Sequence, residues 1–422
     1  MESQKYYFMV RASEFLVKVL FIVVIVAACS SQMSQNNPVS EEILATSCYD
    51  LKTIVGAEDT RSYLTQLQGK RIGIVSNQTS VLNGVHLVDT LLSLGLDIKV
   101  VFSPEHGFRG NHDAGANINH SFDSKTGLPI FSLHGKTKKP SLSIMDSVDV
   151  IVFDIQDVGV RFYTYISTLH YVMEAVAESK KEMIVLDRPN PNAHYIDGPL
   201  LKPEHRSFIG MHPVPIVYGM TIGEYGKMIN GEYWLKDSLQ ANLTVIPLQN
   251  WTYDKVYVLP ILPSPNLPNQ LSIYLYPSLC LFEGTEVSVG RGTEYPFQIY
   301  GHPGFMKEAS FNFKPISMPG KSRYPKFENK KCYGEDCRLF VIDSVRKYAR
   351  LNLSYLENAI QNINPEKKFF AREQFFNLLA GNDTILKHFK KYKAVTNLPL
   401  AWEKEVESFK ETRLKYLIYN LN

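Results

Sequence analysis

An excess of charge of one sign is what this sequence lacks. Its 422 residues contain 45 lysines and arginines against 42 aspartates and glutamates, a formal net charge of +3. A protein that binds nucleic acid through bulk electrostatics needs many clustered cations, because counterion release supplies much of the binding free energy. The near balance of charge therefore predicts that nucleic acid is not a partner.

Nucleotide-binding and serine-hydrolase motifs are also missing. The turn after the first predicted strand, residues 76–80, has no Gly-x-Gly-x-x-Gly pattern, so a nicotinamide cofactor is not expected. The chain contains no Walker A sequence and no Gly-x-Ser-x-Gly elbow. We therefore predict that the protein uses no cofactor.

Long hydrophobic runs are scarce, and one of them lies near the N-terminus. The run Val19–Ala28 has ten residues, too few to cross the ~30 Å hydrocarbon core of a bilayer, and it follows three cationic residues. This pattern is typical of a signal peptide. The run ends in Val-Ala-Ala-Cys, which resembles a bacterial lipobox, so we expect residues 1–28 to be removed and Cys29 to be lipidated. The alternative is that Cys29 merely follows an ordinary cleavage site.

The segment that follows the predicted lipid is polar. Residues 29–48 contain Pro38 and no aromatic residue, which is typical of a flexible tether. Together with the lipobox, this segment predicts a periplasmic protein that is attached to the bacterial membrane by lipid alone.

Cysteine is also rare, with five in the chain. Cys332 and Cys337 bracket the sequence Tyr-Gly-Glu-Asp, and an exported protein can close such a loop with a disulfide. A zinc site is disfavoured there, because no second Cys/His pair lies nearby at ligand spacing.

The first half of the sequence alternates apolar runs with helical patterns. The runs are rich in Val and Ile, and their continuous apolarity indicates strands that are covered on both faces. They are Arg71–Ser76, Ile98–Ser103, Asp149–Ile155 and Glu182–Leu186. Apolar residues recur at helical spacing in Val85–Leu96 and Ile166–Lys180. This order predicts an α/β fold with a Rossmann-like, doubly wound parallel sheet.

A proline-rich run divides the sequence. Residues 263–268 contain three prolines, which neither a helix nor a central strand tolerates. We therefore predict a Rossmann-like catalytic domain over residues 49–260. Residues 261–422 are predicted to form a smaller α+β domain that closes the cleft.

Polar or ionisable residues follow every predicted strand. Ligands of open α/β sheets bind beyond the carboxyl ends of the strands, so converging polar ends favour a site there over simple loop solubility. The candidates are Asn77, Glu105, His106, Gln156, Asp157, Arg188 and Asn190.

The segment Ser103–Gly110 is the richest in reactive side chains. Pro104 stiffens the exit from the strand, and two glycines permit tight turns that aim Glu105 over the sheet edge. Apolar neighbours disfavour the charged form of a carboxyl group, which suits a proton donor. The alternative roles for Glu105 are a helix cap or a salt bridge with Arg109.

Two further segments carry candidate binding residues. In Asp154–Tyr165, Arg161 offers a fork for a carboxylate and Tyr163 a ring for a sugar, although Arg161 is equally suited to neutralising its own strand end. The Gly-rich segment Phe282–Glu294 offers Glu283 and Arg291 as candidate binding residues. The alternative is that this segment is a loop without a functional role.

Weaker candidates remain at other positions. Glu174 lies in the predicted helix and is either catalytic or a solvated helix residue. A metal site is disfavoured because the nearby acidic and histidine residues have no fixed ligand spacing. These residues are Glu105, His106, His112, Asp113 and His120.

Four long motifs appear in the order SPEHGFRG, DIQDVGVRFYTY, VLDRPNP and FEGTEVSVGRGTEYPF. From Leu51 to its C-terminus the chain resembles the DUF1343 family, whose characterised members are the NamZ-type exo-β-N-acetylmuramidases of glycoside hydrolase family 171. The resemblance implies a Rossmann-like domain, a smaller C-terminal domain and a cleft between them. It also implies removal of N-acetylmuramic acid from the non-reducing end of peptidoglycan fragments.

The resemblance assigns roles to some of the candidates. The family's proposed catalytic glutamate falls on Glu105. Val289 stands where the family commonly has a carboxylate, whereas Arg291 is retained. Muramic acid carries a lactyl carboxylate, so a selective pocket needs a cation, for which the candidates are Arg109, Arg161, Arg188 and Arg291.

The chemistry of glycoside cleavage leaves the second catalytic group open. Cleavage needs an acid for the leaving oxygen, for which we propose Glu105, and a second group opposite it. Asp157 is the candidate for that group, either attacking directly or orienting the substrate's 2-acetamide. Other functions compatible with these residues are hydrolysis of another acidic or N-acetylated sugar, and glycan binding by a non-catalytic lipoprotein.

Overall fold

The central sheet forms where the sequence is most continuously apolar. The computed structural model describes residues 51–105, 107–109, 121–305, 311–364 and 368–421. The inner residues of β1 and β7 are fully buried, because helices cover both faces of the sheet. The strands are β1 Arg71–Ser76, β2 Val81–Leu82, β3 Val85–His86, β4 Asp97–Ser103, β5 Ser121–Phe122, β6 Pro129–Ser132, β7 Val150–Asp154, β8 Glu182–Leu186, β9 Asn242–Ile246, β10 Ile299–His302, β11 Phe311–Phe313 and β12 Cys332–Asp336.

Seven of these strands form one sheet in the order β5-β6-β4-β1-β7-β8-β9. All neighbouring strands are parallel except β5, which pairs antiparallel with β6 at the edge. The chain runs from β1 outward to β6 and then returns to the other side of β1 at β7. This is the Rossmann order, so the predicted doubly wound sheet is confirmed, and its switch point lies between β1 and β7.

Helices pack on both faces of this sheet and build much of the C-terminal region. They are α1 Thr60–Leu67, α2 Leu87–Ser93, α3 Leu142–Met145, α4 Tyr165–Ser179, α5 Ile222–Gly231, α6 Gln270–Leu279, α7 Ile342–Tyr348, α8 Ser354–Asn362, α9 Glu373–Ala380, α10 Thr384–Tyr392 and α11 Glu403–Leu414. Among the described residues, none of these helices has both the length and the apolarity of a membrane span.

The first predicted helix is wrong at its start. Residues 85–86 form strand β3, which pairs with β2 in a hairpin. Asn83 and Gly84 make the turn with φ angles of 46° and 84°, the left-handed pair that favours a two-residue hairpin. Helix α2 begins only at Leu87, where the ring of His86 accepts a hydrogen bond from the Val88 backbone N–H. The apolar residues of the short hairpin continue the helical spacing of α2, so the sequence pattern alone did not separate the two elements.

The C-terminal region contains the antiparallel sheet β10-β12-β11 and helices α6 to α11. One hydrophobic cluster extends from Val75 in β1 to Phe409 in α11, so the two predicted domains share a continuous core.

The disulfide that the sequence allows between Cys332 and Cys337 is not formed, because both cysteines are free and buried. Cys332 begins the extended strand β12, and Cys337 directly follows its last residue, Asp336. At ~3.3 Å per residue the strand alone separates the Cα atoms of residues 332 and 336 by about 13 Å, whereas a disulfide needs a separation below about 7 Å.

Candidate active site

A recess opens beyond the carboxyl ends of β4 and β7, close to the switch point of the sheet. Its walls come from the turn after β4, the segment before α4, the proline-rich loop and the C-terminal region. The lining residues are Glu105, Phe162, Tyr163, Thr164, Tyr165, Ser264, Asn266, Leu267, Tyr276, Arg291 and Phe297. Three of the predicted residues, Glu105, Tyr163 and Arg291, are therefore brought together in one place.

Glu105 is held at the rim by local backbone structure. It follows β4 in a turn that is closed by a hydrogen bond from the Gly107 N–H to the Pro104 carbonyl at 3.2 Å. Gly107 has a φ of 83°, which favours glycine at this position. The Thr164 hydroxyl donates to Glu105 Oε2 at 3.3 Å, and Thr164 is the N-cap of α4. The half-buried carboxyl group thus faces the recess between a helix start and solvent.

Two tyrosines form the floor beside Glu105. The hydroxyls of Tyr163 and Tyr165 donate to the Pro263 carbonyl at 2.8 and 3.3 Å, and Asn77 Nδ2 donates to the Tyr165 hydroxyl at 2.9 Å. Burial, followed by the charge of Glu105, raises the pKa of Tyr165. Both phenols therefore stay protonated at neutral pH and fix the proline-rich loop against the sheet. Asn77 does not line the recess, and its hydrogen bond holds the Tyr165 side chain in place from behind.

Arg291 supplies the positive charge of the recess. Its Nε donates to Glu283 Oε1 at 2.7 Å, and its guanidinium lies 5.2 Å from the centre of the Phe297 ring. Glu283 lines a neighbouring recess together with Arg291, Lys326 and Arg372. Glu283 therefore orients Arg291 from behind, and the described residues offer the terminal nitrogens of Arg291 no hydrogen bond.

The other three candidate arginines are engaged elsewhere. Arg161 is fully buried and donates to the carbonyls of Pro199, Val214 and Leu379. Arg188 forms a buried two-point ion pair with Asp154, with distances of 2.5 and 2.9 Å. Neither lines the recess, so the expectation that they grip a substrate carboxylate is corrected: both hold the core together.

Arg109 also has a structural role. It pairs with Asp123 at 2.7 Å and with Asp89 at 3.1 Å. The hydrogen bonds from Arg109 lower the pKa of Asp123 to about 2. Arg109 thus anchors the segment after the Glu105 turn to α2, and it is the aspartates, not Glu105, that form its ion pairs.

Asp157, Gln156 and Asn190 form a buried polar layer that does not line the recess. Asp157 Oδ2 accepts hydrogen bonds from the Gly159 N–H at 2.7 Å and from the Tyr218 hydroxyl. Gln156 Nε2 donates to the Pro189 carbonyl at 2.6 Å. Asn190 Nδ2 donates to the Met220 carbonyl at 2.8 Å. Each of these side chains holds a loop in place through its hydrogen bonds. Their position therefore does not support the predicted catalytic role of Asp157 or the predicted binding roles of Gln156 and Asn190.

The loop after β7 depends on a glycine. Gly159 has a φ of 76°, and a Cβ at this position would meet the side chain of Asn190 at 2.1 Å. The close approach lets Asp157 accept the Gly159 N–H, which turns the chain back toward Tyr163. A larger residue at 159 would move the wall of the recess.

Glu174 lies in α4, nine residues after the helix begins at Tyr165. At ~1.5 Å per residue this places it about 14 Å along the helix from the recess. It pairs with Lys139 at 2.7 Å and lies 3.5 Å from His170 Nε2. Its predicted catalytic role is therefore not supported by its position, and it is part of a partly buried ion pair.

Several candidates lie outside the described residues. These are His106, the remaining candidate metal ligands His112, Asp113 and His120, and the predicted lipidation site Cys29. In the part of the chain that the structure describes, no group of three His, Cys, Asp or Glu side chains is placed to hold a metal ion.

The proline-rich loop is the part of the site that sequence reasoning missed. Ser264, Asn266 and Leu267 line the recess, although the prolines around them indicated only a boundary. The Ser264 hydroxyl accepts the Asn266 N–H, and Asn266 Nδ2 donates to the Lys321 carbonyl. A sequence signal for this role was present, because prolines that alternate with Ser and Asn give a rigid loop with polar side chains, as the wall of a binding site requires.

We expect Asp157→Asn to reduce the loss of stability that accompanies rising pH. Burial raises the pKa of Asp157 to about 7, whereas an unfolded aspartate titrates near ~3.9. The folded state keeps a proton that the unfolded chain releases, so the free energy of unfolding falls as the pH rises through this window. The loss is about 4 kcal/mol at most for this group. Asparagine mimics the protonated acid, since only Oδ2 accepts hydrogen bonds from the described residues.

Urea unfolding at about pH 5 and about pH 8 tests this expectation. The exposed substitution Asp146→Asn is the matched control and should leave the wild-type pH dependence intact. Unchanged pH dependence in Asp157→Asn would contradict the assignment. Loss of catalytic activity in this variant, with the fold retained, would return Asp157 to the list of catalytic groups.

Comparison with known proteins identifies the family. Residues 72–271 match the family described as exo-β-N-acetylmuramidase NamZ, N-terminal, and residues 274–419 match its C-terminal counterpart. The peptidoglycan β-N-acetylmuramidase NamZ of Bacillus subtilis is 40% identical over 375 residues, which cover 85% of this chain and 89% of that protein.

Solved structures agree with this assignment. A DUF1343 family protein from Bacteroides fragilis superposes with a TM-score of 0.82 at 46% identity, covering 88% of this chain and 100% of the other. A second DUF1343 protein from the same organism gives a TM-score of 0.71 at 29% identity, covering 87% and 99%. With both halves matched in order, the chain belongs to the NamZ exo-β-N-acetylmuramidase family.

Proposed function

We propose that this protein is a glycoside hydrolase that releases terminal β-linked N-acetylmuramic acid from peptidoglycan fragments. The observation that carries the proposal is that one carboxyl group, Glu105, and one guanidinium, Arg291, line the same recess close to the sheet's switch point. The family membership and the curated relative's activity support the same reaction.

In this proposal Arg291 binds the lactyl carboxylate of the substrate. The lactyl ether is the group that distinguishes muramic acid from glucosamine, and it carries a negative charge. Glu283 holds Arg291 through Nε, which leaves the terminal nitrogens available for a two-point contact. Losing such a partly buried charge contact typically costs ~2–5 kcal/mol, enough to reject a neutral sugar.

Glu105 donates the proton to the leaving oxygen. Among the described residues that line the recess it is the sole carboxylic acid, since Asp157 is buried behind the wall. A mechanism that needs two carboxylates therefore lacks its second group there, whereas the substrate carries a 2-acetamide that can attack its own anomeric carbon. We accordingly propose an acetamide-assisted cleavage, in which water finally opens the cyclic intermediate.

The acetamide step makes a prediction about substrates. Replacing the N-acetyl group of a 4-nitrophenyl muramide by N-trifluoroacetyl withdraws electrons from the attacking carbonyl oxygen. We expect kcat to fall by about 10²-fold or more, since the nucleophile itself is weakened. Rates that are the same for both substrates would contradict acetamide attack and indicate an enzyme nucleophile or a directly attacking water.

The reaction is tested with the soluble body from Ser30 onward. Release of 4-nitrophenol from the β-N-acetylmuramide is compared with release from the β-N-acetylglucosaminide, which lacks only the lactyl group. We expect cleavage of the muramide alone. Cleavage of neither substrate by folded protein would contradict the proposal and favour a glycan-binding protein, whereas cleavage of other acidic or N-acetylated sugars would redefine the substrate.

We also propose that the protein is a periplasmic lipoprotein, anchored to the bacterial membrane through Cys29. The support is the charged segment, the apolar run and the Val-Ala-Ala-Cys sequence at residues 26–29. Growth with a labelled fatty acid should label the wild-type protein and leave Cys29→Ser unlabelled. Equal labelling of the two proteins, or of neither, would contradict lipidation at this residue.

A further inference from the structure

We propose that Phe297 is a positioning residue, which holds the guanidinium of Arg291 in the recess and thereby makes the enzyme selective for muramic acid. The inference rests on the proposed function, because it concerns how Arg291 binds the lactyl carboxylate. Phe297 lies two residues before β10 and lines the recess together with Arg291 and Glu105. Selectivity then depends on a residue that has no contact of its own with the carboxylate.

The backbone of Phe297 adopts a conformation that is unfavourable for a bulky side chain. Its φ is 56°, in the left-handed region, where the Cβ of a residue other than glycine crowds the backbone. Among the described residues, three aromatic side chains have such a φ, namely those of Tyr233, Phe297 and Phe327, and of these three Phe297 alone lines the recess. Backbone strain of this kind persists where the surrounding structure holds a residue in place, and it is concentrated at functional sites.

The same residue closes the loop that carries Arg291. The Phe297 N–H donates to the Val289 carbonyl at 2.7 Å, which ties the ends of segment 289–297 together. Within this loop the N–H and the hydroxyl of Thr293 both donate to the Gly290 carbonyl, at 3.1 and 2.7 Å. The backbone at Arg291 is therefore fixed, and only its long side chain remains to be oriented.

The ring of Phe297 lies against the guanidinium of Arg291. The distance from Arg291 Cζ to the centre of the ring is 5.2 Å, which is within the range of a cation–π contact. Glu283 Oε1 accepts a hydrogen bond from Nε of the same guanidinium at 2.7 Å. Two contacts of different kinds thus orient the guanidinium before substrate binds. An arginine with one of these contacts would keep more rotamer freedom, which binding would then have to remove.

Phe297 acts through Arg291 and not by direct contact with the sugar. It is 1% exposed, so a sugar ring has almost no surface there on which to stack. Tyr276 packs edge-on against Phe297 with 4.9 Å between ring centres, and it packs edge-on against Tyr163 at 6.0 Å. Because Tyr163 forms the floor beside Glu105, this row of rings connects the wall that holds the cation to the floor beside the acid.

Steady-state kinetics with the 4-nitrophenyl β-N-acetylmuramide test the proposal. Phe297→Leu keeps an apolar side chain but removes the ring, so the guanidinium loses one of its two contacts. We expect KM to rise about tenfold while kcat stays within about twofold, because the lactyl group is bound equally in the ground state and the transition state. Phe297→Tyr retains the ring and should keep the wild-type KM.

Phe327→Leu is the matched control. Phe327 also has a left-handed φ, of 58°, but its ring packs edge-on against His302 and does not line the recess. This variant loses the same ring from the same kind of backbone, and its KM should equal that of the wild type. Urea unfolding establishes that each variant is folded. Phe297→Met, which also lacks the ring, takes the place of Phe297→Leu if leucine prevents folding.

A double variant separates positioning from a general effect on the fold. If Phe297 acts through Arg291, the loss of its ring has no further consequence once Arg291 is replaced by glutamine. Combining Phe297→Leu with Arg291→Gln should therefore give the kcat/KM of Arg291→Gln alone, and not the product of the two separate losses.

Three results would overturn the inference while the hydrolase function stands. They are a wild-type KM in folded Phe297→Leu, an equal rise of KM in Phe297→Tyr or in Phe327→Leu, and losses that multiply in the double variant. Failure of the wild-type protein to cleave the muramide would contradict the proposed function, and this inference with it.

Discussion

Replacing Glu105 with glutamine is expected to lower kcat for a β-linked N-acetylmuramyl-N-acetylglucosamine disaccharide by about 10²–10⁴-fold, the usual contribution of a general acid. Glutamine keeps the shape of the side chain and the hydrogen bond from Thr164, but it has no proton to give. KM should change little, because the proposed contact of Arg291 with the lactyl group does not involve Glu105. The matched control is Glu294→Gln, an exposed glutamate paired with Lys321.

The choice of leaving group separates the roles of Glu105. 4-Nitrophenol leaves without protonation, so Glu105→Gln should lose much less activity on the nitrophenyl muramide than on the disaccharide. Equal losses on the two substrates would identify Glu105 as a nucleophile or base instead. Full activity of Glu105→Gln on the disaccharide would refute any catalytic role.

Replacing Arg188 with leucine is expected to cost about 3–5 kcal/mol of unfolding free energy. The change leaves the fully buried carboxylate of Asp154 without its two-point partner, and an uncompensated buried charge is strongly unfavourable. Urea unfolding measures the effect. The surface substitution Lys410→Leu, which breaks the exposed pair with Glu407, should cost less than about 1 kcal/mol.

A double variant shows where the cost arises. Combining Asp154→Ala with Arg188→Leu removes both charges, so most of the lost stability should return. Preference for the muramide over the glucosaminide should be unaltered in folded Arg188→Leu. A shift in that preference would indicate that Arg188 binds substrate, and a stability loss no larger than that of Lys410→Leu would contradict its structural role.

The sheet was predictable because its strands are continuously apolar. Four such runs, joined by helical patterns, admit few arrangements other than a parallel sheet with helices on both faces. The hairpin before α2 was harder to find, because its strands have only two residues each and the turn signal Asn83-Gly84 stands inside an apolar pattern. Short-range turn chemistry there overrides the helical period.

The site was predictable only in part. Glu105 follows a strand and is stiffened by Pro104, so local sequence suffices to place it at the sheet's edge. The four arginines look alike in sequence, and what separates them is distant in the chain: Arg188 finds Asp154 and Arg161 reaches the Leu379 carbonyl. Whether an arginine meets a buried carboxylate, a carbonyl or open space depends on tertiary packing, which residue patterns alone do not encode.

We propose that Glu105 and Arg291 act on one muramic acid unit in one recess. The most direct measurement is the ratio of kcat/KM for the muramide over the glucosaminide in wild type, Arg291→Gln and Arg372→Gln. Arg372 lines the neighbouring recess and is the matched control. We predict a ratio that falls by about 30-fold or more in Arg291→Gln and stays at the wild-type value in Arg372→Gln. An unchanged ratio in Arg291→Gln would show that Arg291 does not bind the lactyl carboxylate.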